Sequence, residues 1–344
     1  MPVMAEESAR KPSWLKVKLP KGQAFKHVNE LVKGNSLVTV CEEAMCPNRG
    51  ECWSHGTATF MACGDVCTRA CGFCATRTAR PKPLDPEEPA KIADAVSRMK
   101  LNHTVVTMVT RDDLKDGAAN HMAAIIREIR KSSPQTIIEV LTSDFNGKDE
   151  SIAAVMDARP HIFNHNLETV ERLSPLVRFR AKYRQSLAVL KRALELAPGM
   201  VVTKSGIMLG LGETRDEIER TMDDLREHGV TVLTMGQYLR PSAKHLPVID
   251  YIHPDTFEEL RQVALGKGFR HVASGPLIRS SHHDANFRPE LDILEAINAD
   301  LRARGEIVLY RFILAWPEKR CRIGGDEKTT YSRVGAGRRL AGTV

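Results

Sequence analysis

The sequence has few aromatic residues and no long apolar run. Phe, Trp and Tyr make up 5% of the 344 residues, which argues against a surface that stacks nucleic-acid bases. No apolar stretch approaches the ~20 residues that a transmembrane helix needs, so no membrane is expected as a partner. The first ten residues carry acidic side chains and no apolar core, unlike a signal or transit peptide. We therefore expect a cytoplasmic protein.

Basic residues outnumber acidic ones. Lys and Arg total 50 against 43 Asp and Glu, which gives a net charge of +7 and a pI near 9.0. This excess favours an acidic partner, either nucleic acid or an acidic protein domain, although a solvated basic surface has the same composition. The length suits one large domain or two smaller ones, and the 42% hydrophobic content supplies a core.

Three cysteines share one short stretch. They lie in Cys67-Thr-Arg-Ala-Cys71-Gly-Phe-Cys74, at CxxxCxxC spacing, just after the apolar run 57–62. Three thiolates can hold three irons of a cubane [4Fe–4S] cluster and leave the fourth iron open to a chelating molecule. Structural zinc prefers four closed ligands, usually in CxxC or HxxxH pairs, and no such pair lies just downstream. The spacing favours an iron–sulfur cluster over zinc.

A second group of three cysteines lies upstream. Cys41, Cys46 and Cys52 follow CxxxxCxxxxxC spacing in loop-like sequence. A buried structural thiol is usually solitary, so the six thiols either share one site or form two sites of three. In a long chain without a signal peptide, metal or redox chemistry is a better explanation than disulfides. Cys63 and Cys321 stand outside both groups, and we assign neither a role.

Short apolar runs alternate with helical patterns along most of the chain. The apolar runs are 57–62, 104–110, 137–142, 162–165, 201–209, 230–235 and a weaker one at 271–274. The helical patterns are 86–100, 118–132, 149–157, 168–173, 183–196, 213–228 and 254–267. Such alternation is typical of parallel βα units. It predicts an α/β fold, a partial or near-complete (β/α)6-type TIM barrel.

Polar residues follow several of the predicted strands, where barrel enzymes place their chemistry. The candidate binding residues at these ends are Thr110, Asp112, Asn166, Gly210, Gly212 and Glu213. Each has a structural alternative, because Asp112 and Asn166 could cap helices and the glycines could serve turns. Their convergence on one mouth, together with the CxxxCxxC loop, favours a functional role.

Further motifs accompany the two cysteine groups. They are Val109-Thr110-Arg111-Asp112-Asp113-Leu114, His165-Asn166-Leu167-Glu168-Thr169-Val170, Lys204-Ser205-Gly206-Ile207-Met208-Leu209-Gly210-Leu211-Gly212-Glu213, Gly236-Gln237-Tyr238-Leu239 and Arg279-Ser280-Ser281. From about Lys11 to His283, the chain resembles the lipoyl synthase family of the radical S-adenosylmethionine (SAM) superfamily. CxxxCxxC alone would indicate only the superfamily, whereas the upstream cysteines with Arg-Ser-Ser are specific to the family.

The resemblance implies two [4Fe–4S] clusters and SAM as cofactors. The ligands of the first cluster, which chelates SAM, would be Cys67, Cys71 and Cys74. The ligands of the second, auxiliary cluster would be Cys41, Cys46, Cys52 and Ser281. Ser281 thereby joins the three CxxxCxxC cysteines as an expected catalytic residue. The resemblance also places the candidate binding residues near SAM, and the barrel becomes one of the radical SAM kind.

The activity implied by the resemblance is the insertion of two sulfur atoms into a protein-bound octanoyl group. Reductive cleavage of SAM gives a 5′-deoxyadenosyl radical, which abstracts hydrogens at C6 and C8 of N6-octanoyl-lysine. The auxiliary cluster donates the sulfurs. The implied partners are an octanoylated lipoyl carrier domain (an E2 subunit of 2-oxoacid dehydrogenases or the glycine cleavage H protein), an electron donor such as ferredoxin or flavodoxin, and an iron–sulfur carrier protein.

The predicted organisation has four parts. Residues 1–55 form an extended N-terminal arm, anchored by Trp14 and Leu15, and the auxiliary-cluster loop. Residues 56–275 form the barrel, and residues 276–288 close the auxiliary cluster. Residues 289–344 form a C-terminal extension that is partly helical and then basic and Gly-rich, as in disordered tails. This extension has no counterpart in the family pattern, and His282 stands where the family usually has tyrosine.

Two alternatives remain open at this point. Another two-cluster radical SAM sulfur-inserting enzyme, such as a methylthiotransferase, would need an RNA-binding domain and a different auxiliary cysteine arrangement. A zinc-stabilised nucleic-acid-binding protein would need CxxC pairs and clustered basic and aromatic residues. The sequence shows neither feature of the first alternative, and the few aromatic residues and the strand–helix alternation count against the second.

Overall fold

The computed structural model describes residues 11–16, 23–34, 37–43, 46–54 and 59–281. The N-terminal part contains a 3₁₀ turn (Ser13–Leu15), α1 (Gln23–Gly34), β1 (Val38–Thr39), α2 (Val40–Glu43) and α3 (Arg49–Ser54). The chain continues through β2 (Thr59–Ala62), β3 (Val66–Cys67), β4 (Arg77–Thr78), α4 (Glu88–Arg98), β5 (His103–Met108), α5 (Ala119–Ser132), β6 (Ile137–Leu141), a second 3₁₀ turn (Phe145–Gly147), α6 (Asp149–Asp157), β7 (Ile162–Asn164), α7 (Ser174–Val177), α8 (Tyr183–Leu196), β8 (Val202–Leu209), α9 (Arg215–Glu227), β9 (Val232–Gln237), α10 (Pro254–Gly266) and β10 (His271–Gly275).

The main sheet of the described residues follows the order β1-β2-β5-β6-β7-β8-β9-β10. From β2 to β10 each strand is parallel to its neighbour, with helices between successive strands, while β1 is antiparallel to β2. Each predicted strand region contains one of these strands, so the predicted partial (β/α) barrel is confirmed. The carboxyl ends of the parallel strands therefore meet at one mouth.

The core forms where the strands and the apolar helix faces meet. β2 and β9 are buried along their whole length, as expected for parallel strands covered on both faces. On α5 the buried residues Ala119, Met122, Ala123 and Ile126 recur at helical spacing, which turns one face of the helix towards the sheet. α9 begins with a capping box between Thr214 and Glu217, which fixes the start of that helix.

The predicted helix at 168–173 is wrong. Glu168 has a positive φ of 66°, which a helix cannot contain. Its N–H donates to the carbonyl of Gly206 at 2.9 Å, and its carbonyl accepts from the N–H of Met208 at 2.9 Å. Pairing with β8 therefore prevails over the local helical pattern, and α7 begins only at Ser174.

The predicted extended arm is wrong over 23–34, which forms α1. Val28 and Val32 of this helix bury one face against Trp53 of α3 and Cys41 of α2, in a small core of their own. The stretch with Cys41, Cys46 and Cys52 was predicted to be a loop. It is partly helical instead, because α2 and α3 contribute Cys41 and Trp53 to this small core. The two predicted anchors are confirmed: Leu15 is buried, and the ring of Trp14 lies edge-on to that of His253 at 5.0 Å.

The predicted C-terminal extension, with His282 and Cys321, lies outside the described residues. Among the described helices, none combines the length and apolar character needed to span a membrane.

A glycine in β9 allows the end of the described chain to pack against the barrel. An alanine methyl at Gly236 would lie 2.1 Å from the carbonyl oxygen of Ile278. Because the obstacle is backbone, relief requires the segment around Ile278 to move. The close approach therefore positions Arg279-Ser280-Ser281 at the mouth.

We expect Gly236→Ala to lower the free energy of unfolding by about 1–3 kcal/mol, the usual cost of overpacking. The matched control is Gly266→Ala, because an added methyl there meets nothing within 4 Å beyond its chain neighbours and the backbone of its own helix. Urea denaturation followed by circular dichroism measures both variants. Equal stability of the two variants would show that the segment around Ile278 is not packed as described.

Candidate functional site

The CxxxCxxC loop leaves β3 at Cys67 and is held from several sides. Thr68 donates from its N–H and its hydroxyl to the carbonyl of Thr110, at 3.1 and 3.0 Å. Gly72 donates its N–H to Val177 at 2.8 Å and accepts from the N–H of Leu246 at 2.9 Å. The loop is thus attached to the segments that follow β5, β7 and β9 by hydrogen bonds that use none of its thiols.

The thiols of this loop affect one another. Burial, followed by the neighbouring Cys74 and Cys67, raises the pKa of Cys71 to about 12. Burial likewise raises the pKa of Cys74. These thiols are costly to ionise in the absence of a cation. A cationic iron centre would stabilise their thiolate forms directly. The donor set therefore fits a [4Fe–4S] cluster.

The described residues also show whether a site could bind a single metal ion. Among the described residues, no group of three or more His, Cys, Asp or Glu is arranged to hold one ion. The assignment of Cys67, Cys71 and Cys74 as cluster ligands stays a prediction, supported by their spacing and by their position at the barrel mouth.

Arg69, between the first two cysteines of the loop, makes four polar contacts with side chains of neighbouring loops. Its guanidinium forms two hydrogen bonds with Asp112 at 2.8 and 2.9 Å, and also reaches Asp144 at 2.8 Å and Asn146 at 2.7 Å. Its side chain is only 4% exposed. The contacts join the cysteine loop to the loops after β5 and β6. Sequence reasoning missed this role of Arg69.

These contacts set the charge state of the carboxylates. Burial would raise the pKa values of Asp112 and Asp144, but hydrogen bonds and charge from Arg69 outweigh burial and lower both. Asp112 was predicted to lie near SAM, and the structure places it in contact with Arg69 and Asn146 instead of in open space. A direct SAM contact of Asp112 stays a prediction.

Asn166 lies at the mouth with a buried acceptor. Its side-chain nitrogen donates to Glu168 at 3.0 Å, while its Oδ1 has no hydrogen-bond partner among the described residues. A methyl at Gly206 would lie 3.0 Å from this Oδ1, so a glycine keeps the space beside it open. A buried acceptor without a donor fits a ligand that carries a hydroxyl or amino group, as SAM does.

Glu168 is a candidate that sequence reasoning did not select. It is partly buried, and desolvation raises its pKa against the opposing effects of Asn166 and Arg178. Its charge also acts on Cys71 and Cys74, which places it beside the cysteine loop. Its position two residues after Asn166 was the available signal, obscured by the incorrect helix assignment.

The loop after β8 shows why its glycines are needed. Gly210 has a φ of 101°, and an alanine methyl there would lie 2.4 Å from the carbonyl oxygen of Asp250. Gly212 also has a positive φ, of 100°. The Glu213 carboxylate accepts the N–H groups of Gly210 and Leu211. These residues shape the turn, and their predicted contacts with SAM stay predictions.

The second cysteine group lies against the segment that carries Ser281. Asn48 donates from Nδ2 to the carbonyl of Leu277 at 2.6 Å, across 229 residues of sequence. Burial lowers the pKa of Arg279, while the nearby Cys46 raises it, so these two residues are electrostatic neighbours. The structure thus brings the upstream cysteines and Arg279-Ser280-Ser281 together.

Backbone hydrogen bonds link the neighbourhoods of the three upstream cysteines, with Cys41 in α2 and Cys52 in α3. The N–H of Cys46 donates to the carbonyl of Cys41 at 3.2 Å, and the N–H of Cys52 donates to Asn48 at 2.9 Å. Burial raises the pKa of the Cys41 thiol, and so does the nearby Cys46. The role of Cys41, Cys46 and Cys52 as ligands stays a prediction.

Comparison with known proteins identifies the family. A family model described as the Radical SAM superfamily matches residues 61–225, and another, described as the N-terminal domain of lipoyl synthase of the Radical SAM family, matches residues 2–46. Lipoyl synthase of Rubrobacter xylanophilus is 57% identical over 273 residues, which cover 79% of this chain and 85% of that protein. The chain belongs to the lipoyl synthase family.

Two further curated relatives have the same name. Lipoyl synthases of Geobacillus thermodenitrificans and Halalkalibacterium halodurans are 55% and 53% identical over 279 residues, covering 81% of this chain and 93% and 92% of those proteins. Among solved structures, methylornithine synthase is similar with a TM-score of 0.48 at 12% identity, covering 84% of this chain and 95% of that chain.

Membership of the lipoyl synthase family confirms the predicted family and enzyme class. The chain is a radical SAM enzyme, and its superfamily implies one [4Fe–4S] cluster and SAM. A zinc-stabilised nucleic-acid-binding protein receives no support.

We expect Arg69→Met to lower the free energy of unfolding by about 3–5 kcal/mol at pH 7, since it leaves buried carboxylates without their cation. Arg77→Met is the control, because its ion pair with Asp65 is exposed and worth about 1 kcal/mol or less.

The same variant has a predicted pH dependence. Carboxylates with lowered pKa stabilise the fold above the ordinary Asp value of about 4, and this stabilisation disappears as pH falls through their folded-state pKa. The stability difference between wild type and Arg69→Met should therefore shrink from pH 7 to about pH 3 in urea titrations. A difference that stays constant with pH would contradict the ion pairing.

Proposed function

We propose that this protein inserts two sulfur atoms, at C6 and C8, into an octanoyl group carried on a lysine of a lipoyl carrier domain. The contact that carries the proposal is the hydrogen bond between Asn48 and Leu277. It brings three cysteines to an Arg-Ser-Ser segment at the mouth of a barrel whose other cysteine loop belongs to the radical SAM type.

The first cofactor site would be built by Cys67, Cys71 and Cys74. A [4Fe–4S] cluster with SAM supplies one-electron reductive cleavage of SAM, which yields a radical able to attack unactivated C–H bonds. The chain's own residues orient this site: Arg69 fixes the loop, and Asn166 offers its buried Oδ1 to a hydroxyl or amino donor. Burial of Asn166 helps to keep water away from the reacting groups.

The second site would be built by Cys41, Cys46, Cys52 and Ser281, as ligands of an auxiliary [4Fe–4S] cluster that donates the sulfurs. A serine oxygen is a harder ligand than a thiolate, so this corner of the site would release iron more readily than the others. Gly236 supports the arrangement, since it admits the backbone of Ile278, three residues before the serine.

The proposed partners follow from this reaction. The substrate would be an octanoylated E2 subunit or glycine cleavage H protein, the reductant a ferredoxin or flavodoxin, and an iron–sulfur carrier would rebuild the consumed cluster. We place the reaction in the cytoplasm. The net charge of +7 is compatible with acidic partners.

The test is reconstitution under anaerobic conditions, followed by mass spectrometry of an octanoylated carrier peptide with SAM and dithionite. We expect about eight irons per chain and a mass gain of two sulfurs. In Cys71→Ala we expect about four irons and no 5′-deoxyadenosine. Four irons in the wild type, with 5′-deoxyadenosine but no sulfur transfer, would contradict the auxiliary site, and bound zinc without iron would contradict both sites.

Ser281→Ala tests the serine ligand. We expect SAM cleavage to continue and sulfur insertion to be lost, because only the auxiliary site is altered. Ser280→Ala is the matched control, since the contact of Ser280 with Asn164 uses its backbone carbonyl, which the substitution keeps. Unchanged lipoyl product from Ser281→Ala would remove this serine from the mechanism.

A further inference from the structure

One exposed face beside the cysteine loop has no role in the proposed chemistry. Leu176 and Phe179, at the end of α7, are 65% and 62% exposed and rank among the most exposed large hydrophobic residues of the described chain. They are three residues apart. Apolar and aromatic side chains grouped on a soluble protein's surface commonly mark a site of protein association.

Two chain segments that contribute to this face also contact the cysteine loop. Residues 175–182 and 240–246 both hydrogen-bond to the backbone of Gly72, through Val177 and Leu246. The ring of His245 also reaches the carbonyl of Cys74 at 3.0 Å. The face therefore lies directly against the loop between Cys71 and Cys74.

The charge on these two segments is all of one sign. Neither segment contains an Asp or Glu, and Arg180, Lys182, Arg240 and Lys244 are exposed. Over the described residues, none of these four cations forms an ion pair with a carboxylate, whereas nearby Arg184 is paired with Glu171. The guanidinium of Arg180 instead lies 5.8 Å from the ring centre of Phe179. Cations without carboxylates around an apolar centre are complementary to an acidic protein.

We propose that this face, formed by Leu176, Phe179, Arg180, Lys182, Arg240 and Lys244, docks a small acidic protein that carries one electron at a time. The proposal rests on the proposed function, because SAM cleavage consumes an electron that the chain itself does not supply. In each encounter the reduced partner would lose one electron to the centre held by the cysteine loop and leave oxidised, with no bond formed between the proteins. Docking here places the donor next to the loop that receives the electron.

The test measures binding and electron delivery separately in the reconstituted enzyme. The probe is an acidic flavodoxin, whose affinity is followed by surface plasmon resonance over a range of salt concentrations. The variants are Arg180→Glu/Lys182→Glu and Phe179→Ala. The controls are Lys131→Glu, at 79% exposure on α5, and Met200→Ala, at 49% exposure just before β8 on the opposite edge of the barrel.

We expect the charge reversal to raise the Kd for flavodoxin about tenfold or more and to weaken its salt dependence. Phe179→Ala should also raise the Kd, and the two controls should not. Flavodoxin-driven formation of 5′-deoxyadenosine should fall in parallel. With dithionite as reductant, all variants should match the wild type in rate and in KM for the octanoylated carrier.

Three outcomes would overturn the proposal. The first is an unchanged Kd for flavodoxin in both face variants. The second is a raised KM for the octanoylated carrier with dithionite, which would assign the face to the carrier domain. The third is an absence of 5′-deoxyadenosine in wild type with dithionite, which would remove SAM cleavage and with it the need for a reductant; missing lipoyl product with 5′-deoxyadenosine still formed would contradict the proposed sulfur insertion alone.

Discussion

The buried guanidinium of Arg69 is the contact on which the candidate site depends. It lies within the cysteine loop and contacts two carboxylates and an amide from the loops after β5 and β6. A buried charge is tolerated only when its partners are well placed, so the loops must take up one relative position. The geometry of the thiols thus follows from an ion-pair network that involves none of them.

Close backbone approaches position the second part of the site, formed by the upstream cysteines and Arg279-Ser280-Ser281. Glycine at 236 lets the segment around Ile278 lie on the end of β9, and Asn48 ties that segment to the upstream cysteines. The small core around Trp53 in turn attaches those cysteines to α1. Two regions from opposite ends of the described chain are therefore brought together, with the Asn48 hydrogen bond and the close approach at Gly236 among their contacts.

Positive charge is used in two ways around the cysteine loop. Arg69 and Arg178 are buried and contact acceptors inside the protein, where they affect the protonation of neighbouring groups. Arg180 and Lys182 are exposed and face solvent beside Phe179. Buried cations organise a site because their desolvation must be compensated locally, whereas exposed cations cost little and remain available for partners.

The barrel, the two cysteine groups and the family could all be predicted from the amino-acid sequence. Apolar runs and helical periodicity are local properties, so the strands and most helices could be predicted from them, and the cysteine spacing is written in the chain directly. Three features became visible only in the folded chain: Asp112 contacts Arg69, Glu168 pairs with β8 and not within a helix, and Arg279 lies near Cys46. Such contacts join residues far apart in sequence, and their geometry depends on how loops pack, which no local pattern encodes.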